Sequence, residues 1–511
     1  MNSFQHELGY FPQMPLSDKH LSSELSSDFT LPDYKSEIRR LLSTTATVIP
    51  PSEYFGNGGA QLDGDVLYKI LYLGADGELY SVTLSDKYSF KIPLEFGFHN
   101  VNPEEMTLFS SVDAESVNAR VLGPRKLNIR AKLTSHALAL SPELRTPNLV
   151  GAHNSAKLQN FTLDTDCINI KKCKSETEII SDFIPINSPS ESTRIVNSST
   201  NVAFSECVCA EDKINVRGEI IIKLLYCDDT QSVMPIAASH KIPFTKSIPC
   251  EGVKNSFEAS SFGIITDEQL DVAENGVGIE LSLSIYAHAQ ANDRVSYIAD
   301  SYSTEKHTNT SYSSLNVINS LRCTNGNLTQ NDRFSLENIN MPRDAKIVDV
   351  ASNATVEELN CENGRIFVKG RCDHQLIYHH DGEFACKDLR TPFKYEVDCK
   401  GDFTHDSPIK WDARVGVPVS KARCDVEHLY LDCELTFDIC IRNEQDIELL
   451  SEMSFGESRN NAGNELVLCY PDRDATLWSI AKHYGTEIEK IKKRNSLPDG
   501  DGAIKRRFLV V

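Results

Sequence analysis

No stretch of the 511 residues approaches the ~20 consecutive apolar residues that carry a helix across a bilayer, so no membrane span is expected. The opening Met1-Asn2-Ser3-Phe4-Gln5-His6-Glu7-Leu8 has neither a basic n-region nor an apolar h-region, and the chain is expected to stay in the compartment where it is made. An excess of positive charge is missing as well. With 52 basic against 73 acidic residues the formal charge is −21, which argues against nucleic acid, whose affinity comes from neutralising phosphates. There is no Gly-rich phosphate loop, no Gly-x-Ser-x-Gly elbow and no His-Glu-x-x-His helix, so neither catalysis nor a cofactor is expected. The fifteen cysteines lack the spacing of a disulfide framework, and Cys207-Val208-Cys209 has no second pair at zinc spacing; reduced thiols and no metal site are expected. His379-His380-Asp381 is the most site-like cluster, but its place at a hairpin tip reads as a surface turn.

What the chain does have is a block written three times. Gly64-Asp65-Val66-Leu67-Tyr68-Lys69-Ile70-Leu71-Tyr72 returns as Gly218-Glu219-Ile220-Ile221-Ile222-Lys223-Leu224-Leu225-Tyr226 and as Gly370-Arg371-Cys372-Asp373-His374-Gln375-Leu376-Ile377-Tyr378. The frame is a glycine with two aliphatics and a tyrosine six, seven and eight positions later, and the copies lie 154 and 152 residues apart. A unit of about 150 residues therefore recurs. Its polar positions, Lys69, Lys223 and Gln375 among them, vary between copies, so the block reads as a central strand that fixes register rather than as a ligand signature.

Around the block the strand signals repeat. Upstream, Ser27-Asp28-Phe29 falls on Ser181-Asp182-Phe183; the residues before about 25 are left open between an edge strand and a loose tail. Downstream, Asp76-Gly77-Glu78, Asp228-Asp229-Thr230 and Asp381-Gly382-Glu383 mark hairpins, because glycine supplies the positive φ of a tight turn. Phe90, Phe244 and Phe393 follow the repeat glycine by 26, 26 and 23 residues, two of them after a proline that suits an edge strand or a bulge. Each copy closes on clean alternation: Leu127, Ile129, Ala131 and Leu133; Ile279, Leu281, Leu283 and Ile285; Leu429, Leu431, Cys433, Leu435 and Phe437. Period two over this length puts one face on a core and the other in water.

Leu31-Pro32-Asp33-Tyr34-Lys35-Ser36-Glu37-Ile38, the Gly-to-Tyr strand, the Asp-Gly hairpin and Gly123-Pro124-Arg125-Lys126-Leu127-Asn128-Ile129-Arg130-Ala131 together resemble the SPOCS domain of spore-forming bacteria. The first copy matches well and the second fairly; the third keeps the frame but loses the Arg-Lys pair and the Pro-Asp-x-Lys segment. The fold expected is mainly β: three tandem antiparallel β-sandwich-like SPOCS units over 1–150, 151–305 and 306–450, then a linker at 451–464 and a small βααβ domain at 465–511.

In that last segment the period changes from two to 3.6. Leu477, Ile480, Ala481 and Tyr484 share a helix face, Gly485 stands where a left-handed C-cap would end it, and Thr486-Glu487-Ile488-Glu489 has the pattern of a capping box for a second helix. Leu466 to Tyr470 and Phe508 to Val511 read as strands. The segment resembles a LysM domain, a family that holds N-acetylglucosamine polymers in a groove between the loop before the first helix and the loop after the second. Carried onto this chain, the groove comprises Asp474, Ala475, Thr476, Leu477, Trp478, Asn495, Ser496, Leu497 and Pro498. Residues 466–511 carry nine Lys/Arg against six Asp/Glu, and Lys490, Lys492, Lys493, Arg494, Arg506 and Arg507 form a candidate basic docking face for an acidic surface.

The two resemblances together imply a non-catalytic scaffold of the spore envelope, placed in the mother-cell cytoplasm at the forespore surface. Proteins with this arrangement include a coat morphogenetic factor whose LysM domain docks to the ATPase of the coat's basement layer. The alternative is a tether to the peptidoglycan of cortex or wall. Exposed sandwich edges are templates for strand pairing between chains, which leaves self-association open.

Overall fold

The computed structural model describes residues 8–56, 59–93, 105–151, 157–173, 176–186, 193–228, 232–362, 365–398, 409–459, 467–472, 475–497 and 508–511. The first copy of the repeat runs through β1 (Tyr10–Thr30), β2 (Ile38–Val48), β3 (Ser52–Gly56), β4 (Gly59–Gly74), β5 (Leu79–Pro93), β6 (Thr107–Gly123) and β7 (Lys126–Leu144). A short β8 (Asn148–Val150) follows. The second copy uses β9 (Leu158–Lys172), β10 (Glu176–Pro185), β11 (Thr193–Ala210), β12 (Lys213–Asp228), β13 (Ser232–Pro249), β14 (Glu258–Ala273) and β15 (Gly276–Ser303). The third uses β16 (Lys306–Ser335), β17 (Lys346–Glu362), β18 (Arg365–His380), β19 (Glu383–Val397), β20 (Ile409–Cys424) and β21 (His428–Ser458).

Each copy is two facing antiparallel sheets. One has the repeat block at its centre, in the orders β2-β4-β5, β11-β12-β13 and β17-β18-β19; the other has the alternating strand at its centre, as β1-β7-β6, β10-β15-β14 and β16-β21-β20. The prolines Pro243 and Pro392 sit on the edge strands β13 and β19, where a missing N–H breaks no inner ladder. The Asp381-Gly382 hairpin is a two-residue turn with φ of 48° and 78°, between the paired His380 and Glu383. Of the residues before 25, Tyr10 onward form the edge strand β1 against β7. Residues 451–458, read as linker, instead continue β21 and pair with β16. The long strand supplies the ladder that the polar, Gly/Asn-rich composition of 451–464 concealed.

The repeat glycine has a packing reason. Gly64, Gly218 and Gly370 pair across the sheet with Tyr88, Phe244 and Phe393, and a Cβ on any of them would stand 2.5 to 2.7 Å from those rings. An aromatic ring folds over the bare backbone and fills the gap left by the missing side chain. In the first copy that ring is Tyr88 rather than Phe90.

The aliphatic pair has a second reason, which reaches beyond one sandwich. Ile70, Leu224 and Leu376 face their own sandwich cores, as do the tyrosines of the block. Leu71, Leu225 and Ile377 point the opposite way, and all three meet in one cluster with Leu42, Val196 and Val348. Equivalent residues of the three copies thus meet in one shared apolar cluster. A strand buried on both faces reads as a continuous apolar run instead of an alternation, which is what Ile70-Leu71-Tyr72 shows.

The polar position just before this pair closes the ring. Lys69 Nζ of the first copy donates to Ser198 O at 2.6 Å and Ser198 Oγ at 2.7 Å in the second; Lys223 of the second pairs with Asp349 of the third; Gln375 Oε1 of the third accepts from the Thr44 amide of the first at 3.0 Å. Each copy reaches the first strand of the next copy's repeat-block sheet, and the third returns to the first. The copies together line an open cavity of ≈ 2230 Å³ whose walls are both polar and apolar, with Lys69, Lys223, Gln375, His136, Arg414 and Asp438 among its lining residues. Arg414 joins all three copies there: its guanidinium lies over the Phe262 ring at 4.2 Å and donates to Ser110 O at 3.4 Å.

One feature departs from the expected reduced thiols. Cys323 of β16 and Cys440 of β21 stand directly opposite each other and are joined as a disulfide; the other described cysteines form none. Among the described residues no helix is long and apolar enough to cross a membrane.

Candidate binding module and its mounting

The C-terminal module has the order β22 (Leu468–Cys469), α1 (Leu477–Tyr484), α2 (Ile488–Asn495) and β23 (Leu509–Val510), with β22 antiparallel to β23. Both strands are shorter than the apolar runs that announce them. Thr476 opens α1 with a reciprocal cap: its Oγ1 accepts from the Ser479 amide and Ser479 Oγ accepts from the Thr476 amide, each at 3.1 Å. Gly485, at φ 65°, ends the helix as the sequence requires. The capping box read at Thr486 to Glu489 does not form. Thr486 donates its amide back to Ala481 O at 3.0 Å and so belongs to the exit of α1, while Glu487 is the N-cap of α2 and makes no side-chain cap bond.

The residues read as a groove divide by role. Leu477 is buried in the module core with Ile480, Ala481, Ile491 and Leu509. Asn495 is 6% exposed and works as a clasp: Nδ2 donates to Ile491 O and Val510 O at 2.8 and 2.7 Å, and Oδ1 accepts from the Val510 amide at 2.8 Å. Both amide hydrogens are used, and the two bonds with Val510 join α2 to β23. Ala475 and Leu497 are half-buried, whereas Thr476 and Ser496 are exposed. Asp474 and Pro498 lie outside the described residues, as do Arg506 and Arg507. Of the basic face, Lys490, Lys493 and Arg494 are exposed, and Lys492 is half-buried beside Glu489 at 3.2 Å.

Trp478 turns away from any groove and into the body of the chain. Its ring packs between Phe161 of β9 and Tyr302 of β15, with centroids 5.1 and 4.9 Å away, and its Nε1 donates to Asp300 Oδ2 at 2.7 Å. Lys482, one turn along α1, donates to both Asp300 oxygens at 2.7 and 2.8 Å, and Tyr312 of β16 donates to Oδ1 at 2.8 Å. Burial opposes charge on Asp300, but the bonds from Lys482, Trp478 and Tyr312 outweigh it and hold the carboxyl below its usual range. Tyr302 OH donates to Thr486 O at 2.7 Å, and Arg459 donates to the carbonyls of His483 and Lys482 at 3.2 and 3.3 Å, where the C-terminal end of α1 favours a cation.

Sequence reading found Trp478 but not its partners. Asp300, Phe161 and Tyr302 are single residues in strand-like segments 178, 317 and 176 positions from their partner, and nothing local marks them.

The arrangement has no counterpart among curated proteins or solved structures at a significant level. Two family models do match. Residues 193–272 match the model described as SipL, SPOCS domain, a span that covers β11, β12, β13 and almost all of β14 in the second copy. Residues 473–505 match the LysM domain, covering both helices of the module. Both are non-catalytic domain families, and the chain thus combines a SPOCS domain of the SipL kind with a C-terminal LysM domain.

Proposed function

We propose that the chain is a sporulation scaffold of the spore envelope, in which three SPOCS units form a closed ring and the LysM module docks to the ATPase of the coat's basement layer. The single observation behind this reading is the mounting of the module: α1 is fixed to the ring through Asp300, so the opposite, basic side with Lys490, Lys493 and Arg494 is presented outward in one orientation. A rigid mount suits an adaptor that must set the distance and angle between two layers. Beside β22 and β23, Tyr470 and Phe508 add exposed rings, 68% and 49% accessible, the aromatic type that anchors protein interfaces. No chemistry is asked of the chain, and its place is the mother-cell side of the forespore.

The test uses the full-length chain with Lys493→Glu and Arg494→Glu. Co-purification with the basement-layer ATPase is expected to fall at least tenfold while the melting temperature stays within a degree or two; unchanged co-purification would remove the module from the docking role. A second reading, attachment to peptidoglycan, is favoured by the LysM match and by exposed Thr476 and Ser496. It requires the full-length chain to pellet with insoluble peptidoglycan and to lose that property on Thr476→Ala.

A further inference from the structure

Twelve residues after the first residue of β7, β15 and β21 stand Leu138, His288 and Cys440, the same position in three copies. In the first copy it is apolar and joins a small core with Ile168, Ile170 and Ile318. In the other two it carries soft ligand atoms. Cys440 faces Cys323 across the β16–β21 ladder, His288 Nε2 lies 3.5 Å from Cys323 Sγ, and one ligand atom from each of the three residues falls within 4.8 Å of the others. Gln290 Oε1 stands 3.5 Å from the same sulfur.

Among the described residues two further clusters gather His and carboxylate groups, and neither offers a sulfur ligand. At Asp18, His20 and His136 the place is taken by protein cations: Arg442 and Lys410 both pair with Asp18, the latter at 3.1 Å. At the hairpin tip, His380 Nδ1 lies 2.9 Å from Asp344 and Nε2 3.2 Å from Asp381; both carboxylates are exposed, and the group offers no sulfur. Among the described residues only the His288 cluster brings two sulfurs and an imidazole together.

We propose that the Cys323–Cys440 pair has two states: a disulfide when oxidised, and, when reduced, a Cys₂His site that holds a thiophilic ion of the zinc class with His288 Nε2. A cellular thiol reductant of the glutathione or thioredoxin class supplies two electrons, the S–S bond breaks, and the reductant leaves as its own disulfide. The ion then forms two metal–sulfur bonds and one metal–nitrogen bond, and the two thiol protons are released to water. Two thiolates and one imidazole are a zinc donor set, with a fourth position left for water or the Gln290 amide oxygen. The two states link different parts of the molecule. The disulfide joins β16 to β21 within the third copy, whereas the ion adds His288 and so ties the second copy to the third.

The test takes the full-length chain, reduced with a non-thiol phosphine without oxygen, and titrates it with Co²⁺ as the optical probe. The wild-type chain is expected to bind one equivalent more than a Cys323→Ser, Cys440→Ser double variant. The difference spectrum should carry thiolate-to-cobalt charge transfer and the d–d bands of a four-coordinate site, and Zn²⁺ should bleach it. His288→Ala should raise the Kd of that equivalent by at least ~10-fold and shift the d–d bands. Prior oxidation should abolish it. The site is overturned if wild type and double variant take up cobalt identically, or if His288→Ala leaves both affinity and bands unchanged. The His288→Ala comparison stands even where the double variant does not fold.

Discussion

His136 of β7 lies between two carboxylates from different copies, Asp18 at 2.8 Å and Asp412 at 3.7 Å, with His20 stacked on its ring at 4.3 Å. Burial works against a charge there, but the two carboxylates outweigh it and lift the imidazole from 6.5 to about 9. A raised folded value means that the stabilisation is complete below the unfolded value near 6.5 and drains away as pH climbs through about 9. The rise corresponds to about 3 kcal/mol, to order of magnitude. Urea unfolding midpoints of the wild-type chain are therefore expected to fall between pH 7 and pH 10, and His136→Gln should flatten that slope. A wild-type midpoint that holds steady over the window would show that the imidazolium contributes nothing to closing the first copy onto the third. Residue identity alone could not have placed this group. A histidine in a strand is common, and Asp412 is 276 positions away.

At the scale of the element, β4, β12 and β18 show how a strand can be read correctly and still withhold half its meaning. Glycine, aliphatic pair and tyrosine announced a central strand, and each is one. The pair itself marks burial on both faces, a signal present in the sequence from the start: Leu225 is 2% exposed, although it points out of its own sandwich. Leu225→Ala is expected to cost about 2–5 kcal/mol in urea unfolding, the range of a core deletion, and so to match Leu224→Ala on the opposite face. In a solitary sandwich with a wet outer face the first substitution would stay within about 0.5 kcal/mol, and that outcome would dissolve the ring. The polar position before the pair misled more. Lys69, Lys223 and Gln375 differ because each meets a different partner, acceptors for the two lysines and the Thr44 amide donor for Gln375, and a side chain that makes a long-range clasp looks from sequence like any solvated residue.

For the whole molecule, the seat of the module on the ring centres on one carboxylate, beside the packing of Trp478 on Phe161 and Tyr302 and the bonds from Tyr302 and Arg459. Asp300 receives bonds from Trp478, Lys482 and Tyr312, so its removal leaves a buried indole N–H and an ammonium without their acceptor. The chain has two tryptophans, which permits a direct readout. In a Trp411→Phe background, Asp300→Ala is expected to shift Trp478 emission to the red and to raise its quenching by acrylamide several-fold. Emission that stays where it is would mean that the module keeps its seat without this hub.

The sequence by itself determined what depends on neighbours along the chain. Strand period, the Asp381-Gly382 turn, the cap at Gly485 and the 150-residue recurrence all arise from backbone sterics and side-chain spacing within a few residues, so they can be read in order. Tertiary structure decided which faces meet. The ring closes through pairs 129, 126 and 331 residues apart, and Trp478 is held by a carboxylate 178 residues away. Such contacts form only after loop closure brings distant strands together, and the residues that make them are chosen for partners they do not adjoin in sequence. A SPOCS strand and a LysM helix are therefore local facts of this chain; the closed ring, and the direction in which it points its module, belong to the fold.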